Sequence, residues 1–221
     1  STRFTIVREL AKRAFAIHKT PKGLTTLARL GREVVEARIK AASEKGMPAT
    51  QLHIYRGSLD NMGTWINTFL WRLEHGFPEI HLKRLGTATA ETNKMSWGYD
   101  MAAYQPRNAA WIVLNSTVIE NMASLRGTAH HRRDGTSPYE IMEFEMTVSF
   151  AHEMVHLLTG YLTGDVTPHT PPHLTAGGYE ELDHPDGPRG ELGWYWEHGF
   201  LGGILEFWAK KDELKERQAV R

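Results

Sequence analysis

Apolar positions recur at helical spacing through the first part of the chain and again near residue 150, with alternating stretches between them. Residues 3–18 and 24–45 read as two helices separated by Thr20-Pro21-Lys22-Gly23, with Leu27, Leu30, Val34, Val35 and Ile39 marking one buried face. Gly46-Met47-Pro48 ends the second. Leu52-His53-Ile54-Tyr55 alternates and predicts a short strand; residues 62–73 predict a helix closed by Gly76-Phe77-Pro78; residues 80–85 alternate again. His53 and His81 fall on these predicted strands and are read as sheet-face residues. The aromatic stretch 95–104 predicts a strand with an irregularity at Gly98. Trp111-Ile112-Val113-Leu114-Asn115 is the clearest strand of all, followed by a short helix over 116–124 with Ser116 as its N-cap.

The longest pattern covers residues 139–162, where no Gly interrupts until position 160 and no Pro at all. Phe144, Val148, Ala151, Val155, Leu158 and Leu162 share one face, and Met142, Met146, Phe150, Met154 and Leu157 cover its neighbour. A helix apolar over so much of its circumference is a buried one. Residues 126–137 read as a polar surface loop. Residues 164–190, rich in Pro, Gly and His, are too long for a simple connection and predict a functional loop beside a cleft. Residues 191–216 predict one last helix. No repeat or linker divides the chain, so residues 1–221 are expected to form a single α+β domain: a small mixed sheet packed on a buried helix, with helices before and after it.

Composition changes this picture in two places. There is no cysteine, which removes disulfides and thiolate ligands and leaves His and carboxylate as the groups able to hold a metal. With no signal-peptide run at the start, the expectation is an intracellular protein with no membrane partner. The formal net charge is zero, yet residues 1–50 hold 11 Lys and Arg against 4 Asp and Glu. Such a basic stretch is the solvated face of helices packed on a more acidic body, and the overall balance argues against a nucleic-acid partner.

Within the long helix stands His152-Glu153-Met154-Val155-His156, an H-E-x-x-H pattern. Residues four apart lie one turn above each other, so both imidazoles can reach one ion, while Glu153 is turned aside to hold a nucleophilic water. A catalytic zinc takes three protein ligands and keeps one open position. Here the third has to come from downstream, because positions 159 and 162 are Thr and Leu. Two glutamates in Gly190-Glu191-Leu192-Gly193-Trp194-Tyr195-Trp196-Glu197 compete. Glu197 shares the inward face of Trp194, Leu201, Ile204, Leu205 and Trp208, where a buried carboxylate needs a cation. Glu191 lies at the helix start, about 120° around the axis, where it also complements the helix dipole. Glu197 is the expected third ligand and Glu191 its alternative, with His169, His173, His184 and His198 behind them. The unchosen glutamate would orient a ligand histidine.

A buried H-E-x-x-H helix, a preceding WIVLN strand and a downstream helical Glu resemble the zincin metallopeptidases in their gluzincin arrangement, over roughly residues 109–209. The Gly190-Glu191-x-Gly193 segment also resembles one in fungal H-E-x-x-H proteins. The zincin resemblance implies a Zn²⁺-dependent hydrolase of peptide or protein substrates, with His152 and His156 as ligands and Glu153 as general base. It further implies that WIVLN is an edge strand, with Val113 and Asn115 holding the substrate backbone. Tyr195 is a candidate oxyanion donor, with His198, Tyr179 and His173 as the alternatives. Two other readings stay open: a non-peptidase metalloenzyme, such as a lyase, a cyclase or an iron facial-triad enzyme, and a binding module with an inert metal site.

Overall fold

The computed structural model describes residues 2–126, 137–164, 170–176 and 190–205, and the architecture below refers to these. It is an α+β protein of seven helices and one small mixed sheet. Helices α1 (Thr2–Lys19) and α2 (Pro21–Glu44) are separated by Thr20, whose hydroxyl caps α2 by accepting the Gly23 amide at 3.0 Å. Then follow α3 (Met62–His75), β1 (Glu79–Lys83), β2 (Ala90–Lys94), the single turn α4 (Pro106–Ala109), β3 (Ala110–Asn115), α5 (Ser116–Leu125), α6 (Pro138–Thr163) and α7 (Leu192–Leu201).

Helix α6 is the axis of the molecule. Its start is fixed by a capping box, in which Ser137 and Glu140 each satisfy the other's backbone end, with Pro138 in the first turn. Beyond Met146 the helix is enclosed by α1, α2, α5, α7 and β2. Phe150, Met154, Val155, Leu158, Tyr161 and Leu162 are buried to 1% exposure or less. Phe144, expected on the buried face, lies ahead of this enclosure and is exposed.

The sheet has the order β1-β3-β2, with β1 parallel and β2 antiparallel to β3. The apolar WIVLN strand is therefore central and paired along both edges. The expectation that it is the edge strand is overturned, since its near-continuous burial suits a middle position. Val113 is buried, and Asn115 is occupied locally: its amide donates to Ala88 O at 2.8 Å and its oxygen caps α5 through the Thr117 amide, a cap expected at Ser116. The two outer strands are β1 and β2, the latter the polar sequence AETNK.

Three further expectations shift. Residues 52–55 form no strand; instead the Ile54 amide donates to Leu162 O at the end of α6, and His53 lies buried in this loop. The 95–104 stretch is a loop with one short turn, Met101–Ala103. Helix α7 stops at Leu201 because Gly202 adopts a left-handed conformation (φ 89°), whereas the helix was expected to run to 216. Residues 206–216, and 127–136 of the predicted 126–137 loop, lie outside the described residues. The basic N-terminal helices pack on an acidic body as expected: Arg3, Arg13 and Lys19 pair with Glu120, Glu143 and Glu74 at 3.0–3.1 Å. No helix among the described residues is long and apolar enough to cross a membrane.

Candidate metal centre

One face of α6 carries Ser149, His152, Glu153 and His156 into a cleft of about 590 Å³, roofed by β2 and closed at one end by α7. Two side-chain bonds hold the roof to the helix. Thr89 donates to the Ser149 hydroxyl at 3.1 Å, and Thr92 donates to the Glu153 carbonyl at 2.9 Å.

Glu191 stands at the mouth of α7 and does two jobs. As N-cap it accepts the Trp194 amide at 2.6 Å and the Gly193 amide at 3.3 Å. The same carboxylate meets His156 Nε2 at 2.6 Å and His152 Nε2 at 3.3 Å. Among the described residues His152, His156 and Glu191 form a group whose ligand atoms all lie within 4.8 Å of one another. The carboxylate in this group is that of Glu191, the alternative, and not that of Glu197. Glu197 approaches the opposite side of the His152 ring and accepts from Nδ1 at 2.7 Å. Its other oxygen takes the Leu205 amide at 2.9 Å. A proton held on Nδ1 leaves Nε2 as the nitrogen that faces the cluster, which is how a carboxylate behind a ligand histidine sets its tautomer and orientation.

The charges are strongly coupled. Burial acts to lower the His152 pKa, but the hydrogen bonds to Glu191 and Glu197 outweigh it and raise the value to about 10. Burial likewise opposes ionisation of Glu191, yet its bonds to His152 and His156 hold it far below the usual carboxylate range. The donor set, two imidazoles and one carboxylate, fits a zinc ion.

Two residues missed in the sequence hold this geometry. Gly193 packs flat against His152; a β-carbon there would overlap the imidazole. His18, buried in the last turn of α1, is bonded through Nε2 to the Ala151 carbonyl at 3.0 Å, and its ring lies 5.0 Å from that of Trp196. It ties α1 to the residues just before His152 and Glu197. Burial lowers its pKa to about 4, only partly offset by that backbone bond, so it is neutral.

Other expected residues are elsewhere. Tyr195 points to α2, where it is bonded to Glu33 and lies 5.8 Å beneath the Arg29 guanidinium. One residue along a helix is about 100° of rotation, and it is Trp194 and Glu197 that face the cleft. His173 and His198 are exposed, and His81 is half-buried with its ring edge-on to Trp111. Tyr179, His169 and His184 lie outside the described residues. Comparison with protein families, curated proteins and solved structures finds no match.

Proposed function

We propose that this protein is a zinc-dependent hydrolase of peptide bonds with a zincin-like site, in which His152, His156 and Glu191 hold the metal. The observation that carries the proposal is the convergence of those three side chains beside Glu153 and beneath β2, an outer strand of the sheet that lines the same cleft. A zinc ion held there supplies Lewis-acid polarisation of a carbonyl and acidifies a water. Glu153 is 8% exposed and lines the same cleft, one residue from the first ligand. Its carboxylate takes a proton from the attacking water and hands it to the departing amine, the general base and then general acid of one turnover. Glu197 keeps the His152 ring in place throughout. Strand β2 replaces the WIVLN strand as the substrate's partner: it pairs with β3 along one edge, and its other edge offers backbone groups to an extended peptide.

The test combines metal content with cleavage. The purified chain, supplied with zinc, is expected to hold about one ion per molecule and to cut peptides from a proteome-derived library, with cutting lost in Glu153→Gln while zinc is retained. A chain that takes up no metal would return His152 and His156 to the role of structural core residues. Iron in place of zinc, with no peptide cut, would favour the facial-triad enzyme built from the same donor set.

A further inference from the structure

One helical turn beyond His156, the cleft face of α6 reaches Gly160, where there is no side chain. Beside it opens a recess of about 290 Å³, walled by Met95, Trp97, Tyr104 and Leu157 and separated from the metal cleft by Lys94, which lines both. Trp97 stands edge-on to Tyr104 with ring centroids 4.7 Å apart, and Tyr104 is 1% exposed, so the wall is aromatic and fixed. Gly160 lines the recess without a side chain of its own. A β-carbon there would touch only the Lys94 side chain, at 3.6 Å, so larger groups would grow into the space.

The direction of β2 relative to α6 is also set. Thr89 is bonded to Ser149, Thr92 to the Glu153 carbonyl, and Lys94 lies over Gly160, so the strand runs in the same sense as the helix. A peptide added antiparallel, the more stable of the two pairings, has its amino-terminal side at Lys94 and the recess.

We propose that this recess receives a large apolar or aromatic side chain of the substrate, from the amino side of the bond that is cut, and so sets the specificity of the cleft. The proposal rests on the peptide-hydrolase reading above. Gly160 is the determinant, with Trp97 and Tyr104 forming the contact walls. Leucine at 160 suits a helix better than glycine, and its β-carbon meets only the Lys94 side chain.

The experiment has two arms on the zinc-loaded full chain, with thermal melting of each variant as the control for folding. In the first, a proteome-derived peptide library is digested and the cut sites read by mass spectrometry. Phe, Tyr, Leu and Met on the amino side are expected to be enriched by about tenfold over Gly and Ala, and Gly160→Leu is expected to abolish that enrichment while peptides with small residues there are still cut. In the second, N-acetyl-phenylalanine amide is titrated into ¹⁵N-tryptophan-labelled protein. The Trp97 indole signal should move in the native chain and require about tenfold more ligand in Gly160→Leu. Cutting without preference at that position, or a Trp97 signal that the amide leaves unmoved, overturns the proposal and leaves the hydrolase reading standing. A Gly160-dependent Trp97 shift with no peptide cut refutes the hydrolase reading and supports the recess as an apolar ligand site.

Discussion

Glu197 accepts the Nδ1 proton of His152 at 2.7 Å, and its other oxygen is taken by the Leu205 amide at 2.9 Å. Both oxygens of this buried carboxylate are thereby committed, so its contribution to a bound ion passes through the imidazole. Glu197→Ala is expected to weaken zinc affinity by about 10–100-fold, the usual effect of losing a partner behind a ligand histidine. Glu191→Ala removes a ligand and should weaken it further, with loss of the α7 cap costing about 1 kcal/mol of stability besides. Competition against a chromophoric chelator measures both. A larger loss in Glu197→Ala than in Glu191→Ala would reverse the two roles.

Glu153→Gln keeps the size and most of the packing of the side chain but cannot accept the proton of a water. Turnover of a cleaved peptide is expected to fall by about 10²–10⁴-fold, with zinc affinity close to that of the native chain. Parallel loss of zinc in that variant would make Glu153 a structural support and remove it from the proton path.

Much of this site is written in the spacing of residues, and some of it is not. The 152–156 pair is legible because a helix repeats every 3.6 residues whatever surrounds it. His18 was legible in principle, for it continues the buried i, i+4 series Ile6, Leu10, Ala14. The choice between Glu191 and Glu197 was not, because both meet the His152 ring, and only the structure shows that Glu191 reaches Nε2 together with His156 while Glu197 meets Nδ1. The order of strands was hidden for a different reason. An apolar run such as WIVLN says that a strand is covered, while edge position depends on pairing with β1 and β2, which come from elsewhere in the chain. AETNK carries little hydrophobic signal because, as an outer strand over a polar cleft, it has little to bury.

Gly193 leaves room for His152 that no other residue would. Gly193→Ala should favour α7 by helix propensity, by up to about 1 kcal/mol, yet its methyl group meets the imidazole. The ring must then turn away from Glu197 and Glu191. The expected result is a folded chain with zinc affinity reduced by about tenfold or more, comparable to losing the partner behind the ring. Melting curves with and without zinc test it: stabilisation by the ion should shrink while the metal-free transition persists. An unchanged zinc-induced shift would show that α7 can move aside at little cost.

His18 makes the stability of the α1–α6–α7 junction depend on pH. Its Nε2–H donates to Ala151 O in the neutral form, and burial lowers its pKa from 6.5 to about 4. As pH falls through 6.5 the unfolded chain takes up a proton that the folded chain refuses until about 4. The stability associated with a neutral His18 is therefore complete above that upper value and is lost progressively as pH drops towards the lower one. With the ring 1% exposed, the loss between about pH 7.5 and about pH 5 is expected to be about 2 kcal/mol. Glu191, held ionised in the fold, adds a loss of the same sign and His152 one of opposite sign, so the native chain alone does not isolate the effect. His18→Gln does, because its amide can still donate to Ala151 O and cannot titrate. Urea unfolding at the two pH values should give a variant less stable than the native chain at the higher pH, where the ring's packing on Trp196 is lost, and closer to it at the lower. Equal pH dependence in both proteins would mean that the fold opens around His18 and admits its proton without unfolding.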